Sequence, residues 1–254
     1  MDEQEQKHTY EAVLAEEEMV THNERTLGPD HPSTLSARGD LAYRYWTDGR
    51  LDKAIELEEQ VVADSERVLG ADDPVTLTVR SNLASSYWTA GRTEEAIELE
   101  ERVLTDTERI LGTEHPTTLT ARANLAVSYH TAGRVDEAVE LQEQVLVDSE
   151  RVLGARHEDT VAARETLVSA YRAAERNDEA VVLEEQMLDD CERRLGEDDL
   201  ETLTARSNLA SSYRMAGRSD QARALQERVV ADMERILGVE HPATAAAKRT
   251  LANN

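Results

Sequence analysis

Between His115 and Gly154 the apolar residues fall into two groups of helical spacing. Leu119, Leu125, Ala126 and Tyr129 share one face of a first helix. His115-Pro116 reads as its start, with proline at the first helical position, and Ala132-Gly133 as its end. Ala138, Val139, Leu141, Val145, Leu146, Val152 and Leu153 form the apolar set of a second helix, and Gly154 closes it as a left-handed cap. Two helices joined by so short a turn make an antiparallel hairpin. The hairpin recurs every 42 residues without an insertion, as the series Tyr45, Tyr87, Tyr129, Tyr171 and Tyr213 shows. The loop prolines are Pro32, Pro74, Pro116 and Pro242, with Glu158 and Leu200 in the two intervening slots. The loop glycines are Gly28, Gly70, Gly112, Gly154, Gly196 and Gly238.

A fixed period of this length predicts a stacked array in which each unit packs on its neighbours. The register predicts an all-α solenoid of twelve helices over residues 1–254. It consists of a half repeat at 9–28, repeats at 31–70, 73–112, 115–154, 157–196 and 199–238, and a half repeat at 241–252. The half repeats leave apolar faces at both ends. They imply either a segment of a longer array or a homo-oligomer joined through the terminal helices.

Composition narrows the function. The formal charge of −25 disfavours nucleic acid, whose binding depends on neutralising phosphates, and disfavours an anionic membrane surface for the same reason. No apolar run is long enough for a membrane-spanning helix, and the polar N-terminus MDEQEQKHTY lacks the features of a signal peptide. A single cysteine, Cys191, fits a reducing compartment, so the expected location is cytoplasmic. Of 28 basic residues only Lys7, Lys53 and Lys248 are lysines, which points to a GC-rich, bacterial genome.

The spacing R-x2-LA-x2-Y, with glycine four residues on and alanine five after it, resembles the tetratricopeptide signature. The 42-residue length and the LGxxHPxT loop resemble the kinesin light chain subtype of that family, which is found in kinesin light chains and in many bacterial proteins, often behind a nucleotide-binding NB-ARC module. The resemblance covers residues 9–252. It implies a right-handed superhelix whose first helices line the concave side, where related repeats hold a peptide backbone with asparagines. Two slots depart from the general signature. Its tryptophan is replaced by Arg38, Arg80, Arg122, Arg164, Arg206 and Lys248, and its second-helix aromatic by Glu58, Glu100, Gln142, Glu184 and Gln226. No P-loop is present in the sequence.

The cationic slot has two readings. It could line a groove for an acidic peptide, or it could pair with the second-helix acids Asp64, Asp106, Asp148, Asp190 and Asp232, as the hairpin geometry favours. Glu58 and its equivalents are second-choice partners. Asn82, Asn124 and Asn208 share a slot with Asp40, Thr166 and Thr250; they either hold a ligand's backbone or form a solvated ladder. Two slots vary from repeat to repeat, one reading Trp46, Trp88, His130, Arg172, Arg214 and the other Tyr43, Ser85, Val127, Ser169, Ser211. Tryptophan and arginine are common hot-spot residues, although Trp46 and Trp88 could instead pack between neighbouring first helices. Acidic charge concentrates on the second helices, so the outer face is expected to be a solvated acidic surface.

His31, His115, His157 and His241 precede the proline slot once per repeat and read as helix-start residues, too far apart to share a metal. Cys191 takes the place of Ser65, Thr107, Ser149 and Met233 and has no base at catalytic spacing. No catalytic constellation, metal site or cofactor site emerges. The sequence therefore predicts a non-enzymatic protein-interaction module that holds a peptide or extended partner segment in a groove. The alternatives are the sensor arm of a STAND/NB-ARC-type signalling ATPase and a self-associating scaffold.

Overall fold

A computed structural model describes residues 3–252. Among them are twelve α-helices and no strand: α1 (Glu3–Thr26), α2 (Pro32–Thr47), α3 (Leu51–Val68), α4 (Pro74–Thr89), α5 (Thr93–Leu111), α6 (Pro116–Thr131), α7 (Val135–Val152), α8 (Glu158–Ala173), α9 (Asn177–Leu195), α10 (Leu200–Met215), α11 (Ser219–Leu237) and α12 (Pro242–Ala252). The chain forms two compact units, Met1–Leu141 and Gln142–Asn254. In the first, consecutive helices pack in chain order from α1 to α6; in the second, α8 packs on α9, α9 on α10, α10 on α11 and α11 on α12.

The helix boundaries follow from local chemistry. Each first helix begins at an extended residue whose side chain accepts the backbone N–H two positions on. His31 Nδ1 accepts from Ser33 at 3.1 Å, Asp73 from Val75 at 2.8 Å, His115 from Thr117 at 3.2 Å, and Asp199 from Glu201 at 2.8 Å. These are ordinary N-caps, with the imidazole Nδ1 serving where aspartate serves elsewhere. His157 and His241 do the same, so the repeated histidines stand where the spacing places them.

Behind each cap a threonine is wholly buried, in the series Thr34, Thr76, Thr118, Thr160, Thr202 and Thr244. Thr34 and Thr118 donate to the carbonyls of Gly28 and Gly112 at 2.8 Å, which ties the loop to the helix that follows it. Apolar burial follows the helical pattern: Leu119, Leu125, Ala126, Ala138, Val139, Val145 and Leu146 are all buried. Val152 departs from it and lies on the exposed last turn of α7.

The turn inside each hairpin needs one residue in left-handed conformation. Gly49, Gly91, Gly133 and Gly217 supply it with φ between 74° and 78°; in the fourth hairpin the position is Glu175, at φ 57°. A side chain there costs about 1–2 kcal/mol, against about 0.5–1 kcal/mol for the extra freedom of glycine in the unfolded chain. Glu175→Gly is therefore expected to stabilise the protein by about 0.5–1 kcal/mol. Gly91→Ala should destabilise it by a similar amount. Thermal denaturation of the two variants checks this, and a Glu175→Gly variant that melts below wild type would refute it.

Candidate peptide-binding face

The cationic slot sits between two second helices. Arg38 donates to Asp64 of its own hairpin at 2.9 Å and to Glu24 of the preceding second helix at 2.6 Å. Arg80 pairs with Asp106 at 2.8 Å and with Glu66 at 2.8 Å. Arg164 pairs with Asp190 at 3.3 Å and Glu150 at 2.6 Å, and Arg206 with Asp232 at 2.8 Å and Glu192 at 2.7 Å. Arg122 meets Glu108 at 2.7 Å, and Lys248 meets Glu234 at 2.5 Å. Arg80, Arg122 and Arg206 are buried. Glu58 and its equivalents are not the additional partners. That place belongs to a glutamate 14 residues before each cation, within the Glu-Arg pairs at Glu24-Arg25 and Glu66-Arg67. The geometry spends Arg38, Arg80, Arg164 and Arg206 on joining successive second helices.

The Glu58 slot faces the next repeat instead. Ser86 lies beside the Glu58 carboxyl, and Ser128 beside that of Glu100. Burial pushes both carboxyls above the usual range, and the neighbouring serine hydroxyls offset this only in part. In each, Oε2 is buried without a hydrogen-bond partner. Glu184 shares the raised carboxyl and the unpartnered Oε2, but Arg172 Nη2 reaches its Oε1 at 2.7 Å while also donating to Ser212 Oγ at 2.8 Å. Arg172, read from the sequence as a binding-face cation, is thus taken up by partners inside its own unit. Arg214 in the same slot lies 3.5 Å from Ser211 Oγ.

The remaining candidates lie on the surface. Asn82, Asn124 and Asn208 are exposed, as are Asp40, Thr166 and Thr250 in their slot. Tyr43 stacks on Trp46 with centroids 6.0 Å apart, and both rings are exposed. Trp46 Nε1 donates to Thr89 of α4, and Trp88 Nε1 to Thr131 of α6, each at 3.4 Å. Each tryptophan thereby reaches the neighbouring first helix and still presents about two-fifths of its surface, 38% for Trp46 and 43% for Trp88. Val127 and His130 of α6 continue the exposed strip.

A further arrangement escaped the sequence reading. Tyr45, Tyr87, Tyr129, Tyr171 and Tyr213 each donate to a glutamate 28 residues earlier, at 2.6–2.9 Å. An arginine lies over each ring; Arg134, for example, lies 4.0 Å from the Tyr129 centroid. Burial and the adjacent carboxylate push all five phenols up to about 12. The acidic residue beside the Glu58 slot, as in Glu58-Glu59 and Glu100-Glu101, was the available signal.

Cys191 is partly buried, and burial together with Glu201 holds its thiol above the ordinary range. Among the described residues no group of three His, Cys, Asp or Glu side chains is placed to hold a metal ion, and no helix is long and apolar enough to cross a membrane.

Stacked hairpins with paired cations within and an exposed polar-aromatic strip on the first helices define a helical-repeat solenoid. A family model for the tetratricopeptide repeat matches residues 34–75, 76–117, 118–159, 160–201 and 202–243. The chain belongs to the tetratricopeptide repeat family, in its kinesin light chain-like, 42-residue form. A crystal structure from Podosopora anserina, described as a kinesin light chain with nearly identical TPR-like repeats, is 35% identical. It covers 81% of this chain and 97% of its own, with a TM-score of 0.71. BtubC (BKLC) from P. vanneervenii is 21% identical over 92% of this chain and 94% of its own, with a TM-score of 0.68. A Rap protein complexed with competence and sporulation factor is 17% identical over 99% of this chain and 71% of its own, with a TM-score of 0.52. No curated protein matches the sequence significantly.

Proposed function

We propose that the chain is a protein-interaction module that holds a peptide or an extended partner segment on the first-helix face of residues 1–141, across α2, α4 and α6. Tetratricopeptide repeats generally mediate protein–protein interaction, and the Rap protein that shares this fold is complexed with competence and sporulation factor. The observation that carries the reading is the exposed strip of Tyr43, Trp46, Asn82, Trp88 and Asn124 on a surface whose cations are otherwise engaged. An asparagine amide both donates to and accepts from an extended backbone, and tryptophan supplies apolar contact area. The arginine ladder is assigned a structural role, and Arg172 the role of counter-ion to Glu184.

The test is capture of the partner by wild type and by a variant carrying Asn82→Ala, Asn124→Ala and Trp88→Ala. None of these side chains is buried, so the array should fold and its circular dichroism should be unchanged. Affinity for the captured partner should fall by at least about tenfold, roughly the 1.4 kcal/mol expected from losing one hot spot. Undiminished binding would move the function to the second-helix surface.

A further inference from the structure

Repeats one and two carry a carboxylate that repeat four neutralises and they do not. In repeat four Arg172 lies between Glu184 and Ser212. Its slot in repeats one and two holds Trp46 and Trp88, 12 residues before Glu58 and Glu100 as Arg172 is before Glu184, and Ser86 and Ser128 occupy the place of Ser212. Glu58 and Glu100 are 6% and 8% exposed; Oε2 of each has no partner, as in Glu184, but no ion pair among the described residues reaches the other oxygen of either as Arg172 does in Glu184. Glu100 also lines a small cavity with Ser81 of α4, Val103 of α5, and Ala121 and Asn124 of α6, of which Asn124 belongs to the exposed strip. An unpaired buried carboxylate is costly, and a charge-assisted hydrogen bond from a cation offsets that cost. The indoles of Trp46 and Trp88 add a surface on which a guanidinium stacks favourably.

We propose that Glu100, and Glu58 one repeat earlier, accept the guanidinium groups of a basic, extended partner segment, which takes the place Arg172 holds beside Glu184. This rests on the first-helix face being the binding surface. It specifies the ligand as arginine-bearing, the opposite polarity to the acidic peptide that the arginine slots evoke in the sequence. The net charge of −25 favours the same partner.

The test uses the full chain and an alternating arginine–glycine peptide, with the matching citrulline–glycine peptide as its uncharged counterpart. Binding is followed by titration calorimetry and by the fluorescence of Trp46 and Trp88. Three proteins are compared: wild type, Glu58→Gln/Glu100→Gln, and Glu56→Gln/Glu98→Gln. The last pair removes the same charge from exposed positions on the same two helices. Glutamine already stands in this slot at Gln142 and Gln226, so the first pair should fold.

The arginine peptide should change the tryptophan signal and bind at least about tenfold more weakly to Glu58→Gln/Glu100→Gln, while the exposed pair changes affinity less than about twofold. Equal weakening by the two pairs, or equal binding of the citrulline peptide, would overturn the assignment of these carboxylates and leave the binding face in place. Binding with no tryptophan response would overturn both readings.

Discussion

Truncating Arg206 to alanine should cost about 3–5 kcal/mol of unfolding free energy, among the larger single losses available in this chain. The Arg206 side chain is fully enclosed, and its guanidinium is shared between Glu192 at 2.7 Å and Asp232 at 2.8 Å. Removing it leaves two acids facing each other across the space it filled. Asp232 keeps Arg235 at 3.0 Å, so the loss is not the whole of both pairs. Arg206→Met separates the effects of charge and volume. It preserves most of the packing and should lie between alanine and wild type, and adding Glu192→Gln and Asp232→Asn should recover part of the deficit. Urea denaturation measures all four proteins. An Arg206→Met protein within about 1 kcal/mol of wild type would show that the ion pairs add little beyond packing.

Glu58→Gln/Glu100→Gln should be more stable than wild type at pH 7, by about 2 kcal/mol for the pair, because each removes a buried, half-satisfied charge. Burial raises both carboxyls in the folded state. Between the unfolded value of about 4.3 and the raised folded value, the native protein binds more protons than the unfolded chain. Wild-type stability therefore falls as pH rises through that window, and the deficit persists to neutrality. The advantage of the glutamine protein should shrink as pH drops toward about 4. An advantage independent of pH would rule out the carboxylate charge as its source. Glu184→Gln should gain less at pH 7, because burial raises this carboxyl too but Arg172 supplies it with a counter-charge. The exposed acids Asp30, Asp72 and Asp198 run against the trend: hydrogen bonds from Arg67, Arg109 and Arg235 hold them low, and that support fades as pH falls through their lowered values.

The helical register was legible because two independent signals coincide, the apolar spacing and the 42-residue period. The pairing of Arg38 with Asp64 was legible too, since a hairpin places residues 26 apart at equal distance from its turn. The second acid of each ion pair was not. Glu24 and Glu66 belong to the helix of the preceding repeat, and on helices so rich in acid their charge gives no contrast with the acids around them. The engagement of Arg172 with Glu184 was hidden for a related reason. Its slot is exposed tryptophan in two other repeats, and only the fold shows that a long arginine can turn back to Glu184 and Ser212 where tryptophan reaches outward to the next helix. The buried Thr34 series was hidden because threonine two residues after a helix-starting proline looks like a surface residue until the preceding loop folds over it.

Arg38, Arg80, Arg164 and Arg206 each take one acid from the repeat before and one from their own, so Arg80 needs Glu66 and Asp106 in register. This bears on how such a chain can change length. Recombination that removes or duplicates 42 residues, wherever the crossover falls, hands each arginine an equivalent glutamate and aspartate. A change of a few residues more or fewer turns those acids to another side of the helix and strands a buried guanidinium. The same side chains that stabilise the array thereby act as a filter on its history, passing whole repeats and rejecting fractions of one.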